Sequence, residues 1–266
     1  MTIPIYAVST FTTEFFRGNP AAVCLLDADE VRDDAWCQRV AALTAQPATA
    51  FCQRSTTGFT LRWFSPTHEL ALCGHGTLAT AHVLYDTGAV NRQEAAVLAT
   101  VSGALTVGHD GERSWMSLPA TELTEAPPPA AVLTALGVQS AQWYGSAADD
   151  LVVVLDSVEE VEKVRPDVEL LLQLPTTRTV VTAAGGDGVD FTSRVFPPRI
   201  GIPEDQVTGS AHAALGPYWA ARLGRQLLTA RQASERGGEL ALDLRADGLV
   251  RIGGRALTTA RGELLV

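Results

Sequence analysis

Two short stretches carry the residue types best suited to proton chemistry: Leu72-Cys73-Gly74-His75-Gly76-Thr77 and Thr208-Gly209-Ser210-Ala211-His212. Histidine changes charge near physiological pH, so His75 can pass a proton or hydrogen-bond an anionic intermediate. Each stretch opens into an apolar segment that reads as a helix. The first backbone N–H groups of a helix lack intrahelical partners and lie at the positive end of its dipole. Both starts therefore favour an anion such as a substrate carboxylate. Gly74, Gly76 and Gly209 let a ligand approach the backbone closely.

The settings of the two stretches repeat. Gly58-Phe59-Thr60-Leu61-Arg62-Trp63-Phe64-Ser65-Pro66 precedes the first, and Asp190-Phe191-Thr192-Ser193-Arg194-Val195-Phe196-Pro197-Pro198 the second. Phe, Thr, Arg, Phe and Pro recur in the same order at a constant offset. A lone glycine pair is more often an ordinary tight turn, but a matched second copy indicates internal repetition. Two related halves, each presenting a helix start to a shared cleft, are the expectation. Other groups near these stretches could take part: Asp205 in the Gly/Pro-framed loop before the second, Ser210 as donor or acceptor, and Cys73 as a thiol. Ser210 could equally be a helix N-cap. His68 and His212 read as structural.

The elements that must position these residues follow in order. Ile3–Val8 and Ala21–Leu26 read as strands around the turn Arg17-Gly18-Asn19-Pro20. Asp33-Asp34 opens a helix through about Ala42, with Trp36, Val40 and Leu43 near one face. Thr49–Cys52 and Phe59–Phe64 are strands, and a helix after Gly76 stops near Gly88. Val97–Val107 and Ser114–Leu118 read as hairpin strands joined around Asp110-Gly111.

The run Ala126-Pro127-Pro128-Pro129 is the best boundary, dividing the chain into 1–125 and 126–266. Beyond it, Val132–Leu136 is a short helix, and Val158–Val164 or Val168–Leu172 supplies another. Leu151–Leu155, Thr179–Thr182 and Phe191–Phe196 are strands. Ala211–Leu223 is a helix closed by Gly224, and Glu239–Leu244 with Gly248–Ile252 an alternating hairpin. The fold class is therefore α+β, in two pseudo-symmetric domains, each a mostly antiparallel sheet wrapped around a central helix.

Composition narrows the partners. The chain has 266 residues, 46% hydrophobic and 19% charged, enough for one large domain or two smaller ones. A net charge of −10 argues against nucleic acid or an anionic membrane as general partners. No apolar run reaches membrane-spanning length, and the N-terminus lacks the pattern of a signal peptide. Cys24, Cys37, Cys52 and Cys73 are widely spaced without CxxC, which favours a reduced cytoplasmic protein with no metal site.

Taken together, the motifs resemble the PhzF family, which shares its fold with diaminopimelate epimerase. The ordered set runs through Phe16-Arg17-Gly18-Asn19-Pro20-Ala21-Ala22-Val23, Phe64–Leu70, Leu72–Thr77, Gly201–His212 and Arg236-Gly237-Gly238. The resemblance implies two similar domains with a cleft between them, often a homodimer, with no metal or organic cofactor. It also implies proton transfer on a small amino acid or cyclic acid, as in secondary-metabolite pathways. By resemblance His75, Asp205 and Ser210 lie at the substrate, with Gly74, Gly76 and Gly209 cradling its carboxylate. Asn19, Ala48 and Trp63 are expected along the pocket wall.

One departure matters. Family isomerases carry a general-base glutamate in an Asn-Leu-Ser-Glu-Thr-Ala-Phe-like stretch, which here reads Ala45-Gln46-Pro47-Ala48-Thr49-Ala50-Phe51. Ala48 thus stands where the base should be, and general acid–base assistance is typically worth about 10²–10⁴-fold in rate. Cys73 could replace it, His75 or Asp205 could act alone, or a conjugated substrate could need only a mild push. The last option points to an enamine- or imine-containing acid of the dehydroproline type. An epimerase or racemase is the alternative enzyme, and a binding protein that has lost its base the alternative of another class.

Overall fold

The computed structural model describes residues 2–30, 32–56 and 58–265. It divides into a first unit, residues 1–118 with 253–266, and a second, residues 119–252. The first contains β1 (Thr2–Thr10), β2 (Asn19–Leu26), α1 (Asp34–Thr44), β3 (Thr49–Ser55), β4 (Gly58–Phe64), β5 (Glu69–Leu70), α2 (Gly74–Asp86), β6 (Ala96–Thr100), β7 (Gly103–His109) and β8 (Ser114–Pro119). The chain continues with β9 (Thr124–Glu125), α3 (Val132–Leu136), β10 (Trp143–Ala147), β11 (Asp150–Val154), α4 (Val158–Lys163), α5 (Val168–Gln173), β12 (Arg178–Ala184), β13 (Phe191–Phe196), α6 (Gly209–Leu223), β14 (Leu227–Gln232) and β15 (Gly238–Leu244). β16 (Leu249–Gly254) and β17 (Ala256–Leu265) complete it.

The two units share one pairing scheme. In the first, β1–β2 is antiparallel, β2–β3 parallel, β3–β4 antiparallel, β4–β6 parallel and β6–β7 antiparallel. In the second, the same alternation runs through β10–β11, β11–β12, β12–β13, β13–β14 and β14–β15. The repeated Phe-Thr-x-Arg-x-Phe sequence becomes β4 and β13, and its arginines do the same job twice. Arg62 forks onto Glu69 with its guanidinium over the Phe64 ring at 5.0 Å. Arg194 forks onto Glu204 and lies over Phe196 at 5.0 Å. Each bidentate pair pins the loop that leads into the next long helix.

Those helices are the centres of their units. α2 is buried from Gly76 through Ala81 and again over Val83–Tyr85, and packs on β1, β2, β3, β7 and β17. α6 buries Gly209, Ala211–Gly216, Tyr218 and Trp219, and packs on β14 and β15. A helix apolar on nearly all sides belongs inside, not on a surface. Pro217 within α6 cannot donate to the Ala213 carbonyl, and the backbone N–H of Thr121 takes that acceptor at 3.1 Å. Shorter helices seal separate clusters: α1 covers Ile3, Cys24, Phe51 and Phe64, while α3, α4 and α5 cover Leu151, Val153, Val181 and Phe196.

Several expectations need correction. Leu43 is 75% exposed, because the inward stripe of α1 is Cys37, Val40 and Ala41. Val97–Val107 is not one strand but the β6–β7 hairpin, turning between Thr100 and Gly103. The packing divides after Leu118, not within Ala126–Pro129. Ala126 still donates to Tyr144, and Glu125 pairs with Gly145, so the prolines follow a strand of the second unit. Residues 253–266 return to the first unit because β17 pairs along the whole of β1. Both helices offered as alternatives after Leu155 form, as α4 and α5.

The β1–β2 turn depends on Gly18. Its φ is +71°, and a Cβ there would lie 2.1 Å from the Thr10 carbonyl oxygen and 2.7 Å from Thr12 Cγ2. Gly18→Ala is expected to lower stability by at least about 2 kcal/mol in thermal denaturation. Gly88, with φ +73° and nothing near its Cβ position, is the control. Gly88→Ala should lose only roughly 1 kcal/mol, from backbone strain alone.

Candidate active site

At the start of α2, Cys73 is the N-cap, its backbone extended and its sulfur accepting the Gly76 N–H at 3.4 Å. His75 is the second residue of the helix, with ring Nδ1 at 3.5 Å and Nε2 at 3.7 Å from Cys73 Sγ. Gly74 and His75 are half-buried, whereas Cys73 and Gly76 are buried. Gly76 also has a packing reason to be glycine. A Cβ would sit 2.8 Å from Cδ1 of the fully buried Trp63 and 3.1 Å from Cys73 Sγ.

Asn19 opens β2 and Ala48 immediately precedes β3, and both are fully buried. The Asn19 carbonyl accepts from Thr10 Oγ1 at 2.9 Å, and the Ala48 carbonyl accepts the Ala22 N–H at 2.9 Å. A groove of about 430 Å³ lies near the far end of α2, lined in part by Asp86, Thr87 and Thr258. None of the candidate residues lines it.

In the second unit the loop before α6 is held at several points. The Asp205 N–H donates to Val195 O at 3.0 Å, and Thr208 Oγ1 donates to Asp205 Oδ2 at 2.5 Å. The buried Gln232 amide closes the loop, donating to Asp205 O at 2.7 Å and accepting the Thr208 N–H at 2.8 Å. Ser234 Oγ donates to the Gln206 carbonyl at 2.7 Å. Asp205 is thereby fixed in place while remaining half-buried. Thr208 and Gln232 were not singled out by sequence. The signal for Gln232 was a polar residue on the inward phase of the alternating strand β14.

Ser210 is not an N-cap. Thr208 holds that position, and its hydroxyl is engaged with Asp205. Gly209 is the first residue of α6 and Ser210 the second, its Oγ accepting from Arg178 Nη1 at 2.7 Å. Arg178 is in turn forked on Asp150, through Nε at 2.8 Å and through Nη2. Neither Arg178 nor Asp150 was foreseen as part of this cluster.

His212, His68 and the other three thiols lie apart from this chemistry. His212 is fully buried, its Nδ1 2.9 Å from Thr208 O, its Nε2 3.2 Å from Ser193 Oγ and its ring stacked on Phe191. Burial lowers its pKa to about 4. His68 sits in an exposed turn with Ser65 and Thr67. Burial pushes Cys24 and Cys52 up to about 12 and Cys37 up to about 11, which keeps these thiols protonated and inert.

Each unit therefore offers one such helix start. One carries a half-buried histidine beside a thiol, the other a fixed carboxylate and a hydroxyl held by arginine. With this geometry in view, comparison with known proteins is specific. The family model described as phenazine biosynthesis-like protein matches residues 8–262. An uncharacterized isomerase of Halalkalibacterium halodurans is 40% identical over 268 residues, covering all of both chains. The crystal structure of a PhzF-family phenazine biosynthesis protein of Enterococcus faecalis superposes with a TM-score of 0.94 at 38% identity, again covering both chains fully. A hydroxyproline epimerase of Agrobacterium vitis, solved with trans-4-hydroxy-L-proline, shares the fold alone, at 13% identity, TM-score 0.62, and 99% and 92% coverage of the two chains.

Proposed function

The chain belongs to the phenazine biosynthesis-like protein family, a family of isomerases, and we propose that it catalyses a cofactor-independent proton shift on a small unsaturated amino acid or cyclic carboxylic acid. The observation that carries this reading is that each unit has a long central helix with a group able to move a proton at its start, half-buried His75 on the first turn of α2 and fixed Asp205 just before α6. His75 and Asp205 would form the proton-transfer pair. One removes a proton from carbon, the double bond migrates, and the proton returns at a second carbon, with no net change in atoms or charge. The N–H groups at the helix starts Gly74 and Gly209, with Gly76 allowing close packing behind the first, would hold the substrate carboxylate.

Ala48 supports conjugated acids as the substrate class. An alanine cannot titrate, so the carbon acid must already be acidified by an adjacent enamine or imine. A dehydroproline-type acid of secondary metabolism meets that demand. The family resemblance also supports a cytoplasmic homodimer, which light scattering would test.

An epimerase or racemase is the second reading, favoured by Cys73 at a helix N-cap. It needs two acids or bases on opposite faces of one carbon. The corresponding N-cap in the second half is Thr208, whose hydroxyl is committed to Asp205. That residue is a poor partner for a thiol base.

Incorporation of solvent deuterium into a panel of unsaturated amino acids tests the assignment. Exchange with a shifted chromophore is expected. Exchange with inversion would instead establish the epimerase, and no exchange into any acid that binds would leave a binding protein. Ala48→Glu is expected to add dihydro-hydroxyanthranilate-type isomerisation, detectable by absorbance, because it restores a titratable group at the vacated position.

A further inference from the structure

The internal repeat shows where the second half keeps a charge that the first half lacks. Thr49 pairs with Phe64 across β3–β4, and Thr179 pairs with Phe196 across β12–β13. Phe64 and Phe196 are the matched phenylalanines of the repeated sequence, so Thr49 and Thr179 occupy one register. The parallel neighbours agree, with Ala22 beside Thr49 and Leu151 beside Thr179. One residue earlier stand Ala48 in the first half and Arg178 in the second. The position that holds uncharged Ala48 in one half thus holds a cation in the other. That cation reaches the second residue of the following central helix, Ser210.

Resting on the carboxylate-binding reading above, we infer that Arg178, locked by Asp150, is the positioning residue that makes Ser210 a dedicated hydrogen-bond donor to the substrate carboxylate. A guanidinium can only donate, so in the 2.7 Å contact the Ser210 oxygen accepts. One lone pair is thereby occupied, and the single O–H is left to donate away from Arg178. The positive charge behind the oxygen polarises that O–H further. Asp150 fixes the arrangement by engaging Nε and Nη2 together, which stops the guanidinium from turning its fork elsewhere. With side chains only 23% and 13% exposed, the pair is shielded enough to hold one geometry. A Ser210 set as a donor selects an acceptor-only group, a carboxylate, over the amino end of an amino acid.

Lysine cannot reproduce this. A single ammonium would settle on Asp150 and leave Ser210 free to rotate. The test is a double-mutant cycle on binding, read by ¹H–¹⁵N NMR at the amides of Gly209, Ser210 and Ala211. Wild type, Arg178→Lys, Ser210→Ala and the double variant are each titrated with acetate and with trans-4-hydroxy-L-proline. Arg178→Lys and Ser210→Ala are each expected to weaken binding on the order of tenfold. The double variant should bind no more weakly than Ser210→Ala alone. Losses that simply add, or an Arg178→Lys protein that binds like wild type, would overturn the inference while leaving the proton-shift reading intact. No carboxylate-induced shift in wild type would overturn both. If Arg178→Lys loses its dispersed spectrum, Asp150→Asn replaces it in the cycle. That variant keeps the arginine but loosens its anchor, and the same non-additivity with Ser210→Ala is required of it.

Discussion

His75→Ala is expected to lower the rate of solvent-deuterium exchange into an accepted substrate by roughly 10²–10⁴-fold, the usual range for a lost general acid or base. The imidazole is the titratable group at the start of α2 that is both half-buried and placed on the first helical turn. Alanine at position 48 has no titratable group and cannot take over its role. Asp205→Asn should cost at least tenfold in the same assay. The amide keeps the size of the carboxylate but cannot carry the proton, and it can still accept from Thr208. The loop should survive, since Gln232 holds it through the Asp205 carbonyl and the Thr208 N–H and not through the carboxylate. Full exchange activity in both variants would remove the proposed proton-transfer pair. Cys73→Ser should be milder, because serine is a good N-cap and can accept the Gly76 N–H in place of sulfur.

Why these residues could be found without a structure, and others could not, follows from the kind of interaction each makes. The repeat around β4 and β13 is legible because the same Arg–Glu fork and the same arginine–phenylalanine stacking are built twice from the same local spacing. The helix starts at Gly74 and Gly209 are legible because glycine tracts precede apolar runs. β17 leaves no such trace. None of its residues is buried and its apolar residues do not alternate along it, so it becomes a strand because β1, from the opposite end of the chain, pairs along it. Gln232 and Arg178 are similar cases. Their roles arise from contacts with residues remote in sequence, Asp205 and Thr208 for one and Asp150 and Ser210 for the other. Leu43 misled because an apolar residue one step off a helical stripe looks like a member of it in sequence and is solvent-facing in the helix.

His212 supplies the second large effect, on stability and not on turnover. It is fully buried, and burial lowers its pKa from 6.5 to about 4, partly offset by its bond to the Thr208 carbonyl. A carbonyl can only accept, so Nδ1 carries the proton of the neutral ring, and Nε2 accepts from Ser193 Oγ. The unfolded chain binds a proton on this histidine at higher pH than the folded one does. Its contribution is therefore complete above about pH 6.5 and declines as pH falls toward 4. The loss is about 2 kcal/mol by pH 5 and roughly 3 kcal/mol once the folded ring is also protonated. Urea denaturation at pH 7 and pH 5 should show this decline in wild type. The His212→Phe variant, which keeps a ring beside Phe191 but cannot titrate, should show a decline smaller by about that amount. NMR of the imidazole should place the titration of the folded protein near pH 4. A midpoint near 6.5, or equal pH dependence in the two proteins, would mean that the ring is hydrated and that α6 does not depend on a neutral histidine in its first turns.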